Sequence, residues 1–260
     1  ITGLPNGTNT LAVIGMNSAG VWQTESNATV RQWVIKPSWP TVRLNEILAN
    51  NRSALNRGGT FPDAIELFNE GPAPVNLSGM RLTDDPALTD KYIIPPGVTL
   101  AASAFLVIDS TQLGFGLDEG GEGVFLFHTV ANGGALLDSV EFGTQLPDLS
   151  IGRLNQGGEW LPTQPTFGSP NLAQTVGDLG QIRINEWLAS GTNPFPVDFV
   201  ELYNPDARPV DLSGAFLTDQ PLGAPTRNGI RPLSFIAPGG FALFQPGGRG
   251  NAAGLNFQLE

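Results

Sequence analysis

The feature that most constrains the fold is an internal repeat. Residues 43–50 (RLNEILAN) return as residues 183–190 (RINEWLAS), with five of the eight positions identical. The longer block 63–86 returns without a gap at 198–221, with thirteen of the twenty-four positions identical. The order of the blocks is kept and their spacing changes by only a few residues, which is the pattern of a duplicated domain. Any fold assigned to one copy therefore has to serve for both.

Short apolar runs separated by turn residues predict an all-β fold. The chain has 33 glycines and 22 prolines among 260 residues, well above average usage. These residues stand between runs of four to eight apolar residues, and no long window shows helical spacing. The predicted strands of the first copy are 43–49, 64–69, 80–83, 91–94, 104–109, 123–128, 135–142 and 149–153. Strands this short and regular are typical of a β-sandwich.

Charge and residue usage exclude several classes of function. The chain has 13 basic and 24 acidic residues, a net charge of −11, so binding to a nucleic-acid backbone is not expected. Cysteine is absent and histidine occurs once, which rules out thiolate chemistry and leaves His128 as the one histidine base for a catalytic triad. No apolar run is long enough to span a bilayer, so membrane insertion is not expected either.

The repeated block resembles the lamin tail domain in its bacterial form. The resemblance rests on Asn45-Glu46, on residues 65–69 (IELFN), on residues 75–84 (VNLSGMRLTD) and on the closing segment 166–171 (TFGSPN). It implies an immunoglobulin-like β-sandwich, found in bacteria on secreted or surface proteins, and it implies no catalytic activity. We therefore predict an extracellular or cell-surface location, which the acidic composition suits.

The repeat and the resemblance together predict the domain organisation. Strand and turn patterns in 10–35 resemble the last hairpin of a fibronectin-III-like or immunoglobulin-like domain, with strands at 10–15, 21–23 and 31–35. The predicted segments are a remnant of that domain (1–36), a linker (37–40), a complete sandwich (41–171), a second linker (172–180) and a truncated second sandwich (181–260). The second copy has no counterpart for the last strands of the first, so we expect it to expose an apolar face and an unpaired strand edge.

Carboxylates inside apolar strands are the candidate functional residues. A buried carboxylate needs hydrogen bonds or a paired charge. One interpretation is a general acid/base pair or a metal site; the other is a structural contact made by backbone N–H groups or by an arginine. The repetition favours the structural interpretation, and we predict Arg153 as the partner of Glu46 or Glu66. The residues concerned are Asn45, Glu46, Glu66, Arg153, Asn185, Glu186 and Glu201.

Two acidic clusters on predicted loops are the alternative metal ligands. Clustered carboxylate oxygens suit Ca²⁺, which takes six to eight oxygen ligands. The spacing does not match the twelve-residue calcium loop, so solvated loops are favoured and no cofactor is expected. The weak Ca²⁺ candidates are Asp84, Asp85, Asp90, Asp118, Glu119 and Glu122.

The leading functional hypothesis is a non-catalytic structural or adhesive module. Its expected partners are other domains of the same longer chain and a surface protein or carbohydrate. One alternative is a ligand-binding sandwich for carbohydrate or Ca²⁺; exposed aromatic residues such as Trp160 with Phe167 would then form the platform. Another alternative is the accessory region of a secreted hydrolase whose catalytic domain lies outside these residues.

Overall fold

Strands make up almost all of the regular structure, which confirms the predicted all-β fold class. The structure is a computed structural model, and it describes residues 7–35, 39–155, 158–189, 197–246 and 254–255. The chain divides into two compact units, Ile1–Pro40 and Thr41–Glu260. No helix in the described residues is long and apolar enough to cross a membrane.

The first unit is a single β-hairpin. Strands β1 (Gly7–Val13) and β2 (Thr29–Ile35) pair antiparallel over their whole length. The strand expected at 21–23 is wrong: that segment contributes one isolated bridge, between Met16 and Trp22, inside the long connecting loop. The predicted linker 37–40 lies partly outside the described residues, because nothing is described for 36–38.

The second unit begins with a complete set of strands. In chain order they are β3 (Val42–Leu48), β4 (Ala64–Asn69), β5 (Val75–Asn76), β6 (Arg81–Thr83), β7 (Tyr92–Ile93), β8 (Thr99–Leu100), β9 (Phe105–Asp109), α1 (Ser110–Leu113), β10 (Gly123–Phe127), β11 (Leu136–Glu141), β12 (Ser150–Arg153), β13 (Trp160–Gln164) and β14 (Leu172–Ala173). All eight predicted strands are present within one residue at each end. The sequence patterns missed the two-residue strands β5, β8 and β14, the strand β13 and the one-turn helix α1.

These strands form a two-sheet sandwich. One sheet has the order β14-β13-β12-β3-β4-β9 and the other β11-β10-β6-β7, and the short pair β5-β8 packs Val75 and Leu100 against the same core. The core between them is apolar and almost completely buried, with side chains from both sheets. Its largest fully buried members include Leu44, Ile47, Ile65, Leu67, Leu82, Leu126 and Phe142. The sheets thus cover each other, as expected for a β-sandwich.

A bulge in β3 places the candidate polar residues. The register of β3 against β4 shifts between Leu44 and Glu46, so Asn45 is the extra residue. Leu44 and Ile47 both face the core because the extra residue of the bulge shifts the alternation of side chains by one position. Glu46 then lies directly opposite Glu66, on the face of the sheet away from the core.

The strands that follow repeat the first part of this pattern. They are β15 (Arg183–Leu188), β16 (Phe199–Tyr203), β17 (Val210–Asp211), β18 (Phe216–Leu217), β19 (Asn228–Gly229), β20 (Phe235–Ile236), β21 (Phe241–Pro246) and β22 (Gly254–Leu255). The pairings β15-β16, β16-β21, β17-β20 and β18-β19 reproduce β3-β4, β4-β9, β5-β8 and β6-β7. Even the bulge recurs, between Ile184 and Glu186.

The two repeats share an interface inside the second unit. The N–H of Gly143 donates to the carbonyl of Pro232 at 2.9 Å, and the N–H of Phe235 donates to the carbonyl of Thr144 at 2.9 Å. Phe235 and Leu233 belong to the same buried apolar cluster as the core of the first sandwich. The second repeat therefore contributes side chains to the core of the first.

Candidate functional site

Glu46 is a fully buried carboxylate held by residues far away in sequence. Its Oε1 accepts the hydroxyl of Ser150 at 2.6 Å and the backbone N–H of Thr166 at 3.0 Å. Ser150 lies on β12 beside β3, and Thr166 lies in the segment that follows β13. These donors satisfy the carboxylate without a charged partner, which is the way a buried acidic group is stabilised when no cation is near.

Glu66 is satisfied in the same way by a different pair of donors. The side-chain amide of Asn45 donates to its Oε1 at 2.7 Å, and the N–H of Gly168 donates to its Oε2. Asn171 completes the arrangement, because its amide donates to the carbonyls of Asn45 and Arg153, at 2.9 Å each. The closing segment 166–171 is thus tied to the bulge of β3 through the two carboxylates.

Arg153 does not pair with either carboxylate, and that prediction is wrong. Its guanidinium bonds to Asp138 at 2.9 Å and donates to the carbonyls of Leu44 and Gly158, and it lies over the ring of Trp160 at 4.9 Å. Asp138 in turn accepts the N–H of Leu44 at 3.0 Å. Arg153, which lies on β12, therefore links that strand to Leu44 of β3 and to Asp138 of β11.

Burial dominates the acidity of the buried carboxylates. It raises the pKa of Glu46 to about 7; the bonds from Ser150 and Thr166 act in the opposite direction, and repulsion by Glu66 adds to the rise. Burial also raises the pKa of Glu66, against the lowering effect of Gly168 and Asn45. A raised pKa is often a mark of catalytic groups, but structural networks produce it as well.

The second repeat keeps the amide–carboxylate contact but not its surroundings. The amide of Asn185 donates to Glu201 at 2.6 Å, as Asn45 does to Glu66. Glu186, the equivalent of Glu46, is exposed. Both repeats therefore form the Asn–Glu contact beside the bulge, but the neighbouring glutamate is buried in the first repeat (Glu46) and exposed in the second (Glu186).

The acidic clusters proposed as Ca²⁺ ligands are engaged with other groups. Asp84 pairs with Lys91 at 2.6 Å, and Glu119 pairs with Arg52 at 3.0 Å. Asp118 accepts the N–H of Gly120. Asp85 accepts the N–H of Ala87, and Asp90 is exposed. Across the described residues, no three acidic or histidine side chains converge as a set of metal ligands.

Glu122 is the one member of these clusters with a strongly shifted acidity. Burial raises its pKa to about 7, and repulsion by Asp84 and Asp118 adds to the rise. The N–H of Asp118, which donates to Glu122 at 2.9 Å, and the ammonium group of Lys91 oppose it. Burial therefore makes this carboxyl a weaker acid than an exposed glutamate.

A cavity of about 280 Å³ lies beside the bulge of β3. Its lining includes Phe68 and Phe105, whose rings stack with centroids 4.7 Å apart. Arg43 and Arg153 also line it, and Arg43 pairs with Glu70 at 3.4 Å. The combination of stacked aromatic rings with amide and guanidinium groups is the type of surface that binds a polar, ring-shaped ligand.

The alternative platform of Trp160 with Phe167 consists of two half-buried side chains. The guanidinium of Arg153 lies 4.9 Å from the ring centroid of Trp160. The sequence reasoning did not single out Phe68 and Phe105, although the pair recurs as the stacked rings of Tyr203 and Phe241. The signal was present as aromatic residues at matching positions of the two repeats.

Sequence reasoning also missed Asn69 and its equivalent Asn204. The amide of Asn69, which is fully buried, donates to the carbonyls of Ala73, Leu100 and Ala101. Asn204 does the same with Arg208, Ile236 and Ala237. The residue is identical in the two blocks and ends an apolar strand, and that was the signal that could have found it.

Chemically, the polar groups around the bulge hold the fold together. Each buried carboxylate points its oxygens at donors of the same sandwich, and the network joins β3, β12 and the closing segment. These polar groups are therefore structural contacts inside the sandwich.

The single histidine, His128, accepts the N–H of Thr129 at its Nδ1.

Comparison with known proteins points to one family. The family model described as Lamin Tail Domain matches residues 36–144, which cover β3 to β11. The match supports the resemblance read from the sequence, and the sandwich is the immunoglobulin-like fold of that family. No curated protein and no solved structure gives a significant match to the chain.

Proposed function

We propose that the chain is a non-catalytic structural or adhesive part of a large secreted or cell-surface multidomain protein. In this role it spaces domains or mediates protein interaction. The observation that carries the proposal is the use of the buried carboxylates: Glu46 and Glu66 bind Ser150, Thr166, Gly168 and Asn45 of the same sandwich. Groups engaged in this way stabilise a module and leave no free acid/base pair at that place.

The proposal includes a tandem arrangement. Residues 41–171 are a lamin-tail-like sandwich, residues 181–260 belong to a second copy of it, and residues 1–36 belong to a fibronectin-III-like or immunoglobulin-like domain. The recurrence of the β3-β4 bulge in β15-β16 and of the Asn–Glu contact supports the second copy. The antiparallel pairing of β1 with β2 supports the assignment of residues 1–36.

The expected partners follow from this role. They are the other domains of the same longer chain and a protein or carbohydrate at a bacterial cell surface. The net charge of −11 supports an external, salt-containing setting and disfavours nucleic acid. We propose that the module works without a cofactor.

Single-molecule stretching tests the structural role. The full chain is placed between marker domains and pulled from its ends. A load-bearing sandwich gives a sharp unfolding step, and the part of the length gain that comes from residues 41–171 is up to roughly 470 Å at about 3.6 Å per residue. Arg153→Ala, which cuts the link between β3 and β11, lowers the unfolding force, whereas the exposed Glu141→Ala leaves it unchanged. Gradual extension without a resolved step would refute the role.

A second candidate function is carbohydrate binding at the cavity beside the bulge. The observation that favours it is the stacked pair Phe68 and Phe105, which lines the cavity together with Asn171, Arg43 and Arg153. Calorimetric titration of neutral oligosaccharides against the full chain tests it. Binding that disappears in Phe105→Ala supports the candidate; the absence of heat with all of them, or binding that survives in Phe105→Ala, removes it.

A further inference from the structure

The closing segment 166–171 forms most of the loop that joins β13 to β14. The base of this loop is the strand pair in which Gln164 lies opposite Leu172 and Thr163 opposite Ala173. Strand β14 consists of these two residues, so few backbone bonds hold the loop at its base. A loop attached in this way can open as a unit while the strands around it stay paired.

Polar contacts hold the closing segment against the sheet. In the described part of the chain, the apolar core and the residues packed against it include no side chain of this segment. The N–H groups of Thr166 and Gly168 donate to the carboxylates of Glu46 and Glu66, and the amide of Asn171 donates to two backbone carbonyls. Hydrogen bonds, and not apolar packing in the core, therefore keep the segment closed.

The two carboxylates that hold the segment lie directly opposite each other. Glu46 of β3 pairs in register with Glu66 of β4, and both side chains are fully buried. The other charged side chains on β3, β4 and β12 are Arg43 and Arg153, which pair with Glu70 and Asp138. Strands β13 and β14 and the closing segment carry no charged side chain. Two negative charges at this place would therefore repel each other without a neutralising cation.

Protonation of the two glutamates favours the closed position of the segment. Burial raises the pKa of Glu46 to about 7, repulsion by Glu66 adds to the rise, and burial raises the pKa of Glu66 as well. When the segment opens, water reaches both groups and their pKa values return towards the ordinary range. The closed position thus holds its protons to a higher pH than the open position does, so a rise in pH favours opening.

We propose that the closing segment is a strap that opens as Glu46 and Glu66 ionise and closes as they take up protons. Pro170 and Asn171 line the cavity beside the bulge, so opening removes part of the wall of that cavity. The strap thereby couples access to the cavity to the pH of the surroundings. This regulation goes beyond the proposed structural role, and it does not depend on which ligand the cavity takes.

Proton linkage gives the size of the effect. Between 4.5 and about 7, Glu46 is ionised in the open position and protonated in the closed one, so the ratio of open to closed molecules rises by up to tenfold per pH unit. From pH 5 to pH 7 this ratio rises roughly 40-fold. Glu66 contributes with the same sign, because burial raises its pKa too.

Hydrogen exchange of the full native chain tests the proposal. The exchange rates of the Thr166 and Gly168 amides, divided by the intrinsic rate at each pH, give the open fraction of the segment. We expect this fraction to rise roughly 40-fold from pH 5 to pH 7. We also expect low concentrations of urea to leave it unchanged, because opening exposes little surface, whereas the amides of β4 exchange through unfolding and respond to urea.

Four variants separate charge from loop conformation. Glu46→Gln keeps an acceptor and removes one ionising group, so the rise with pH becomes smaller, and the double variant with Glu66→Gln abolishes it. Glu141→Gln, which changes an exposed glutamate on β11, leaves the rise as it is. Gly168→Ala favours the open position about fivefold at every pH without changing the rise, because Gly168 has φ of +83°.

Three results would overturn the proposal. The first is a urea dependence of the Thr166 and Gly168 amides equal to that of β4, because the segment would then open only when the sandwich unfolds. The second is an open fraction that does not change between pH 5 and pH 7. The third is a rise that persists in the double variant. Stretching and oligosaccharide titration do not measure this opening, so the proposals fail separately.

Discussion

At the scale of residues, the buried carboxylates set how stability depends on pH. Glu46 has a pKa of about 7 in the folded protein and an ordinary value of 4.5 when unfolded. Between these values the unfolded chain releases its proton before the folded one does. Stability therefore falls as the pH rises from about 4.5 to about 7, by up to about 3 kcal/mol.

We predict that the full chain unfolds at a lower denaturant concentration at pH 8 than at pH 5. Glu46→Gln keeps an acceptor for Ser150 and Thr166, loses the titrating group and reduces the difference between the two conditions. Glu66, Asp63 and Glu122 also have raised pKa values and contribute with the same sign. Asp148 does not contribute to the difference between pH 5 and pH 8. Hydrogen bonds from Ser53, Arg52 and Ala54 outweigh its slight burial and lower its pKa from 3.8 to about 2, so it is ionised in both the folded and the unfolded chain over this range.

The control for this prediction is Glu141→Gln, because Glu141 is exposed. Chemical denaturation followed by circular dichroism at several pH values gives the comparison. Equal stability of the unmodified chain at pH 5 and pH 8 would contradict the proposed state of Glu46.

At the scale of elements, a buried asparagine closes the turn after β4. The amide of Asn69 donates to three carbonyls, and its oxygen accepts the hydroxyl of Thr41 and the N–H of Gly71. Asn69→Asp puts a carboxylate oxygen against those carbonyls. We predict a loss of about 3 kcal/mol or more, measured by thermal denaturation.

The repeat supplies a test of the same prediction. Asn204→Asp has the corresponding effect on the second repeat, because Asn204 makes the same three bonds. Asn132→Asp, on an exposed turn, changes the melting temperature little. Should Asn69→Asp melt like the unmodified chain, the turn would not depend on this amide.

Position 121, just before β10, requires glycine for a conformational and a steric reason. Gly121 has φ of +114°, and a Cβ there would lie 2.7 Å from the Cα of Gly143 and from the carbonyl oxygen of Phe142. Gly97 also has a positive φ, of +87°, but the space around it is open. We predict that Gly97→Ala costs about 1 kcal/mol and that Gly121→Ala costs clearly more, in urea denaturation. Similar losses of stability for the two variants would show that the loop around Gly121 moves to make room for the added Cβ.

The strands themselves could be predicted from the sequence, whereas several of their neighbours could not. Runs such as 64–69 and 105–109 alternate or are continuously apolar, and this signal is local. Strand β13 contains Pro162 and follows a glycine-rich stretch, so its pattern does not resemble a strand. The two-residue strands β5 and β8 exist because they pair with each other, 25 residues apart at Val75 and Leu100.

At the scale of the whole molecule, the two repeats stabilise each other. Phe235 of the second repeat is 2 % exposed within the core of the first, and the amide of Gln145 donates to the carbonyl of Leu233 at 2.7 Å. We predict that Phe235→Ala costs about 3 kcal/mol and lowers the stability of both repeats. The exposed Phe241→Ala costs less than about 1 kcal/mol.

Denaturant unfolding of the full chain gives the measurement. Trp160 lies in the first repeat and Trp187 in the second, so the fluorescence of variants that keep one of these two tryptophans as the sole tryptophan shows whether the repeats unfold together, and circular dichroism follows all strands at once. A chain in which Phe235→Ala leaves the main transition in place would have two independent sandwiches. That outcome would favour the separate domains 41–171 and 181–260 predicted from the sequence.

The sequence by itself determined the fold class, the strands of the first copy, the recurrence of the pattern and the presence of polar residues that every copy needs. These features depend on patterns within a few residues and on identity between two blocks. Only the tertiary structure decided the partners: Ser150 and Thr166 reach Glu46 across 104 and 120 residues of chain, and Arg153 meets Asp138 instead of a glutamate. A carboxylate can be satisfied by any nearby donor, so its need for one is local, but the identity of the donor depends on how the strands are arranged in space.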